Sequence, residues 1–351
     1  MEGNALLRRV STFAAAVAAT VTLALTATAC GESSTESSSS GDGGDKGVGI
    51  AFDVGGRDDA SFNEAAARGA DRAEEELGVE AKFMTARNEE TEADREQRLT
   101  ALAQQGYNPV IGVGFLYGPS IEKVAKEFPD TTFGVIDAAP EGDNIYGATF
   151  AEHEGSYLAG VAAALKSETG KVGFIGALDT ALIQKFQAGF EQGAKDTDPD
   201  IEVVSEYLAD NDSGFNDQAG AKDKAQGMLE RDIDVIYTAA GLSGVGSIEE
   251  ISEHGGAWAI GVDSDQYEQP GLEEYQDVIL TSVMKGVDVA VFDLIKSVQD
   301  GEPLSGPKVY TLAEDGVSLS TSGGFIDDIM EQIDEARQKI ADGEIEVRET
   351  P

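Results

Sequence analysis

Parts of this chain repeat at a constant distance of 124 to 126 residues. VGIAFD, from residue 48, returns as VGFIG from residue 172. Phe62 stands seven residues before Gly69, and Phe186 stands seven before Gly193. The segment 109–137 (PVIGVGFLYGPSIEKVAKEFPDTTFGVID) is matched by 234–263 (DVIYTAAGLSGVGSIEEISEHGGAWAIGVD). One shared offset binds these separate matches together, so the body is expected to be two similar units in tandem.

Each unit alternates short β-branched runs with amphipathic stretches of helical period. Strands are predicted at 48–54, 79–84, 109–114, 132–137, 171–176, 201–207, 235–239, 257–262 and 278–283, with helices between most of them. That alternation implies an α/β fold with parallel sheets and right-handed crossovers. The unit boundary is expected near 151–157, before an Ala-rich helix over 156–166. Ligands of open parallel sheets lie beyond the carboxyl ends of the strands. Two lobes with those ends facing each other would grip one small molecule in a hinged cleft.

The residues at those strand ends define a candidate site. After the first strand comes DVGGRDDASFN (53–63), where Asp59 or Ser61 can cap the next helix. Phe62 offers a ring for stacking, and Asn63 offers a donor and an acceptor. Asp137 and Asp263 end the matched strands, where a buried carboxylate demands donors. Lys285 follows the strand at 278–283 and can balance Asp263. Two Gly-rich stretches, 112–118 and 241–246, fail the spacing of a dinucleotide fingerprint and suit close backbone approach to an uncharged ligand.

Charge narrows the ligand. There are 66 acidic and 25 basic residues, giving a net charge of −41. Such a surface repels phosphate backbones, so nucleic acid is not an expected partner. The acidic runs, such as 74–76, 89–92 and 249–250, read as solvated helix faces. With only 14 lysines, the balance resembles that of salt-adapted proteins. One cysteine and two histidines leave no disulfide and no thiolate or His-rich metal site. Neither a G-x-S-x-G elbow nor a GxxxxGK[ST] loop occurs, so no metal, cofactor or catalytic role is expected.

The first residues read as an export signal. Arg8 and Arg9 precede an apolar stretch over 10–29 that ends in Ala27-Thr28-Ala29-Cys30. This resembles a lipobox, with Cys30 as the lipidated first residue of the mature chain. GESSTESSSSGDGGDK (31–46) follows, a flexible tether spanning about 20–25 Å. The protein is therefore expected to be exported and lipid-anchored at the outer face of the cell membrane.

DxSFN (59–63), GVID (134–137), EGSYLAG (154–160), TGKVGFIG (169–176), AAG (239–241), WAIGVDSDQ (258–266) and LTSVMKGVDVAVF (280–292) appear in that order. Together they resemble the basic membrane protein (BMP) family of substrate-binding lipoproteins, relatives of the purine nucleoside receptors. The resemblance runs from residue 48 to about residue 347. It implies a type I periplasmic-binding-protein fold, with two Rossmann-like lobes around a hinged cleft. Residues 47–152 and about 284–320 would form lobe 1; 153–283 and about 321–351 would form lobe 2. It further implies a monomer that delivers a nucleoside, a purine nucleoside by preference, to the permease of an ABC importer. Phe62 would stack on the base, with Asp59, Asn63 and Asp137 at its edge. Asp263 and Lys285 would meet the ribose, and Gly241 would supply backbone contact. A second aromatic, Phe186 or Tyr237, would close the sandwich. A sugar or autoinducer receptor of the same fold, a signalling receptor and a nucleoside hydrolase are the rival readings.

Overall fold

The structure, a computed structural model, describes residues 46–87 and 90–351. The expected signal peptide over 1–29, Cys30 and nearly all of the expected tether lie outside the described residues.

The strands are β1 (Val48–Ala51), β2 (Ala81–Met84), β3 (Val110–Val113), β4 (Phe133–Ile136), β5 (Ile145–Phe150), β6 (Lys171–Leu178), β7 (Glu202–Ala209), β8 (Val235–Ala239), β9 (Trp258–Asp263), β10 (Ile279–Lys285), β11 (Gly306–Tyr310) and β12 (Val317–Leu319). The helices are α1 (Phe62–Leu77), α2 (Glu92–Gln104), α3 (Gly118–Val124), α4 (Glu152–Lys166), α5 (Ala181–Thr197), α6 (Gln218–Leu229), α7 (Gly244–His254), α8 (Val287–Gln299) and α9 (Met330–Ala341).

Two six-stranded sheets result, in the orders β11-β5-β4-β3-β1-β2 and β12-β10-β9-β8-β6-β7. The first is parallel throughout; the second is parallel except for β12, which runs antiparallel to β10. The sequence repeat is visible in this topology. β5-β4-β3-β1-β2 in one lobe has the same order as β10-β9-β8-β6-β7 in the other. Central strands β1, β3 and β4 are buried at every residue, as strands covered by helices on both faces must be.

The paired glycines of the repeat have a packing reason. A Cβ on Gly69 would lie 2.4 Å from the Asp288 carbonyl oxygen, where α1 crosses α8. One on Gly193 would lie 2.0 Å from the Tyr157 carbonyl oxygen, where α5 crosses α4. In each helix a phenylalanine stands two turns before a backbone-close crossing: Phe62 opens α1, and Phe186 is the sixth residue of α5.

The lobe exchange differs from the expected boundaries. The segment 284–320 does not stay with the first lobe: α8 packs on α1 and β11 pairs β5, but the end of β10 and all of β12 belong to the second sheet. The reason is hydrogen bonding, since β12 completes its ladder against β10 at 283–285. The chain therefore crosses between lobes at about 151, 286 and 311–317. α4 also begins at Glu152, earlier than expected, at the first crossing.

Candidate ligand-binding site

The carboxyl ends of both sheets open on one cleft with about 560 Å³ of atom-free space, part of it open to solvent. Matched turns build it. Asp137, just after β4, and Asp263, the last residue of β9, both adopt positive φ, 68° and 64°. This left-handed conformation is costly for most residues but open to Asp, and it turns the chain abruptly at the strand end. Both carboxylates line the cleft.

Lys285 sits at the last position of β10, 3% exposed. Its Nζ donates to Asp137 Oδ2 at 2.7 Å, with Oδ1 equally near. Three rings surround the ammonium. Its distances to their centroids are 5.0 Å for Phe62, 5.0 Å for Phe150 and 5.6 Å for Phe186. Phe62 opens α1 in the first lobe, and Phe186 lies on α5 in the second, so the cleft has an aromatic wall from each side. Asp263 Oδ2 accepts from Ser61 Oγ at 2.8 Å. The lobes also meet through Ser264 Oγ donating to the Ser61 carbonyl and Gln266 Nε2 donating to the Ala60 carbonyl.

Asp59, not Ser61, caps α1. Its carboxylate accepts from the backbone N–H groups of Ser61, Asn63 and Glu64, each at 3.0 Å. The Asn63 amide spans the preceding loop, donating to the Val54 carbonyl and accepting from the Asp53 N–H. Both side chains line the cleft, but most of their bonding capacity is already used in holding the β1–α1 loop.

Burial dominates the electrostatics. It pushes Asp53 up to about 6, Asp59 to about 7 and Asp263 to about 6, from an ordinary 3.8. Asp137 is raised by the same cause, pulled back by Lys285 and raised again by Glu152. Lys285 is held above its usual range by Asp137, Glu152 and Asp263, which outweigh its burial, so it stays charged.

Of the residues expected in the site, the cleft brings together Asp59, Phe62, Asn63, Asp137, Phe186, Gly241, Asp263 and Lys285. Tyr237 is a correction: it does not line the cleft. It is fully buried, packs on Phe174 and Phe190, and shares a hydrogen bond with Ser156. Strand alternation points it from β8 into the helix layer rather than past the strand end. Asp53 and Phe215 line the cleft without having been expected there; Gly114 and Phe115, from the Gly-rich stretch 112–118, line it as well. Asp53 was within reach, because it follows β1 as Asp137 follows β4. Phe215 belongs to a short 3-10 turn with no periodic signal. Among the described residues, no group of three or more His, Cys, Asp or Glu side chains is placed to hold a metal.

Residues 46–351 match the profile of the Bmp family, described as ABC transporter substrate-binding protein PnrA-like. The chain belongs to the Bmp family. Among its relatives, a CD4+ T-cell-stimulating antigen of Listeria innocua is 34% identical, over 87% of this chain and 88% of that protein. The ABC transporter nucleoside-binding protein BmpA of Lactococcus lactis is 32% identical, over 85% and 88%. A crystal structure of an ABC transporter solute-binding protein from Aeropyrum pernix superposes with a TM-score of 0.73 at 31% identity, covering 87% of this chain and 93% of that one. As a Bmp-family member, the chain is an exported, membrane-anchored substrate-binding lipoprotein of an ABC importer, with a type I binding-protein architecture and no catalytic step.

Proposed function

We propose that this Bmp-family protein binds a nucleoside, with preference for a purine base, between its lobes and delivers it as a monomer to the importer's permease. One observation carries the reading. Aromatic rings from opposite lobes, Phe62 and Phe186, flank a buried Asp137–Lys285 pair beside Asp263. The rings suit the two faces of a base, and a purine offers the larger face. Asp137 Oδ1, buried and without an aligned hydrogen bond, suits an N–H on the base edge. Asp263, Lys285 and the Gly241 backbone suit ribose hydroxyls. Asp59 and Asn63 hold the loop that carries Phe62. The nucleoside-binding relative in Lactococcus supports the same ligand class. Net charge and four lining aspartates disfavour a phosphorylated ligand.

Native mass spectrometry with inosine, guanosine, adenosine, cytidine and ribose tests the reading. The expected result is a one-to-one adduct with purine nucleosides, weaker with cytidine and absent with ribose. An adduct with ribose and with none of the nucleosides sinks it. Release of hypoxanthine on long incubation with inosine would mark an enzyme instead.

A further inference from the structure

Glu152 occupies an unusual position. It is the first residue of α4, placed where the chain has just crossed from the first lobe to the second. It is 1% exposed, does not line the cleft, and neither of its carboxylate oxygens accepts a hydrogen bond. Its partners are two ammonium groups: Lys285 Nζ lies 3.2 Å from Oε1, and Lys185 Nζ lies 3.7 Å from Oε2. A carboxylate buried so completely without donors is costly, so the fold tolerates it only if those cations compensate. Yet Lys285 gives its aligned hydrogen bond to Asp137. One ammonium thus faces two buried carboxylates and bonds only one of them.

We propose that Glu152 is the standby counter-ion of Lys285. Asp137 holds the ammonium while the cleft is empty, and Glu152 takes it over when a ligand donor claims Asp137. The ligand half of this statement rests on the nucleoside reading; the sharing of Lys285 does not. The handover is short, because Oε1 is already at 3.2 Å. It leaves the ammonium neutralised throughout, so the ligand does not strand a buried charge. Glu152 is therefore a positioning residue that acts through Lys285.

The groups facing Glu152 come from every neighbouring element. Lys285 comes from β10, Asp137 follows β4, Lys185 lies on α5, and Tyr237 on β8. Glu349 of the C-terminal segment stands 3.6 Å behind Lys185. Asp263, at the end of β9, reaches Lys285 electrostatically but is bonded to Ser61. His153 is next along α4, its ring held below the ordinary histidine range by burial.

A double-mutant cycle on the ligand-free protein tests the sharing. Asp137→Asn and Glu152→Gln each leave Lys285 one carboxylate, so each variant is expected to fold and lose only a few degrees of melting temperature. Together they leave the ammonium without a close counter-ion. The double variant is expected to fall below the sum of the singles by about 5 °C or more, or not to fold. A smaller excess, or a single variant that fails to fold, overturns the sharing. Inosine affinity against pH tests the handover. Because the Glu152 charge raises Asp137, Glu152→Gln lets Asp137 ionise at lower pH. Affinity at pH 7.5 is expected to fall at least about fivefold, one pKa unit being tenfold in equilibrium terms. The acid limb of the profile is expected to move down at the same time. A loss of affinity with an unmoved limb means a merely structural role and overturns the handover. If the unmodified protein binds no nucleoside, the nucleoside reading falls, while the ligand-free cycle still decides the sharing.

Discussion

Phe62 and Phe186 stand at equivalent places in the repeat, and both reach the Lys285 ammonium. A base stacked on an aromatic ring gains about 1–3 kcal/mol. Phe62→Ala is expected to weaken inosine binding by roughly tenfold or more. Because Phe62 is only half-buried, its melting temperature is expected to change little; titration and a thermal melt check both. The buried aspartates predict a pH dependence. Asp53, Asp59 and Asp263 take up protons near 6 to 7 when folded but near 3.8 when unfolded. The folded chain therefore holds more protons across that window, and its stability falls as pH rises through it. The melting temperature of the ligand-free protein is expected to be higher at pH 5 than at pH 8, and scanning calorimetry showing the reverse would contradict this. At this scale the sequence was informative where the repeat spoke twice, as for Asp137 and Asp263. It was not where one residue could face two ways: Tyr237 is aromatic and close to the site in sequence, but strand alternation sends it into the core.

At the scale of elements, the helix crossings explain why Gly193 follows Phe186 by two turns. A methyl group at Gly193 would meet the Tyr157 carbonyl oxygen at 2.0 Å, forcing α5 away from α4. Gly193→Ala is expected to cost about 1–3 kcal/mol. Because α5 carries Phe186, the same substitution is expected to weaken ligand binding; a denaturant melt beside a titration reads both. Nine predicted strands correspond to β1–β4 and β6–β10: the central ones are written as buried apolar runs, and the partly exposed β2 and β7 still carry aromatic or β-branched residues. β5, β11 and β12 were not legible. β5 follows β4 without a helix between them, which breaks the alternating pattern. β11, GPKVY, is an edge strand whose outward residues are polar or exposed, and β12 has only three residues. These last two set the far end of the segment 284–320, so the expected boundary at about 320 falls after β12 rather than before it.

For the whole molecule, the charge of −41 acts against compaction. Many acids lie on exposed helix faces, and surface pairs such as Arg72–Glu76 and Lys339–Glu335 offset little of it. Salt screens this self-repulsion between charges more than about 8–10 Å apart near physiological strength. The melting temperature is expected to rise with added NaCl, and a flat or falling trend would count against a salt-adapted surface. The same field separates site from surface. Four aspartates and one lysine face the cleft, a field that favours a neutral molecule rich in donors over a phosphate. The most direct test is isothermal titration calorimetry of the ligand-free protein with inosine and with ribose. The expected result is one site per chain, with inosine bound at micromolar affinity or tighter, below about −8 kcal/mol, and no heat from ribose. Binding of ribose without binding of inosine, or of any other nucleoside, would contradict it.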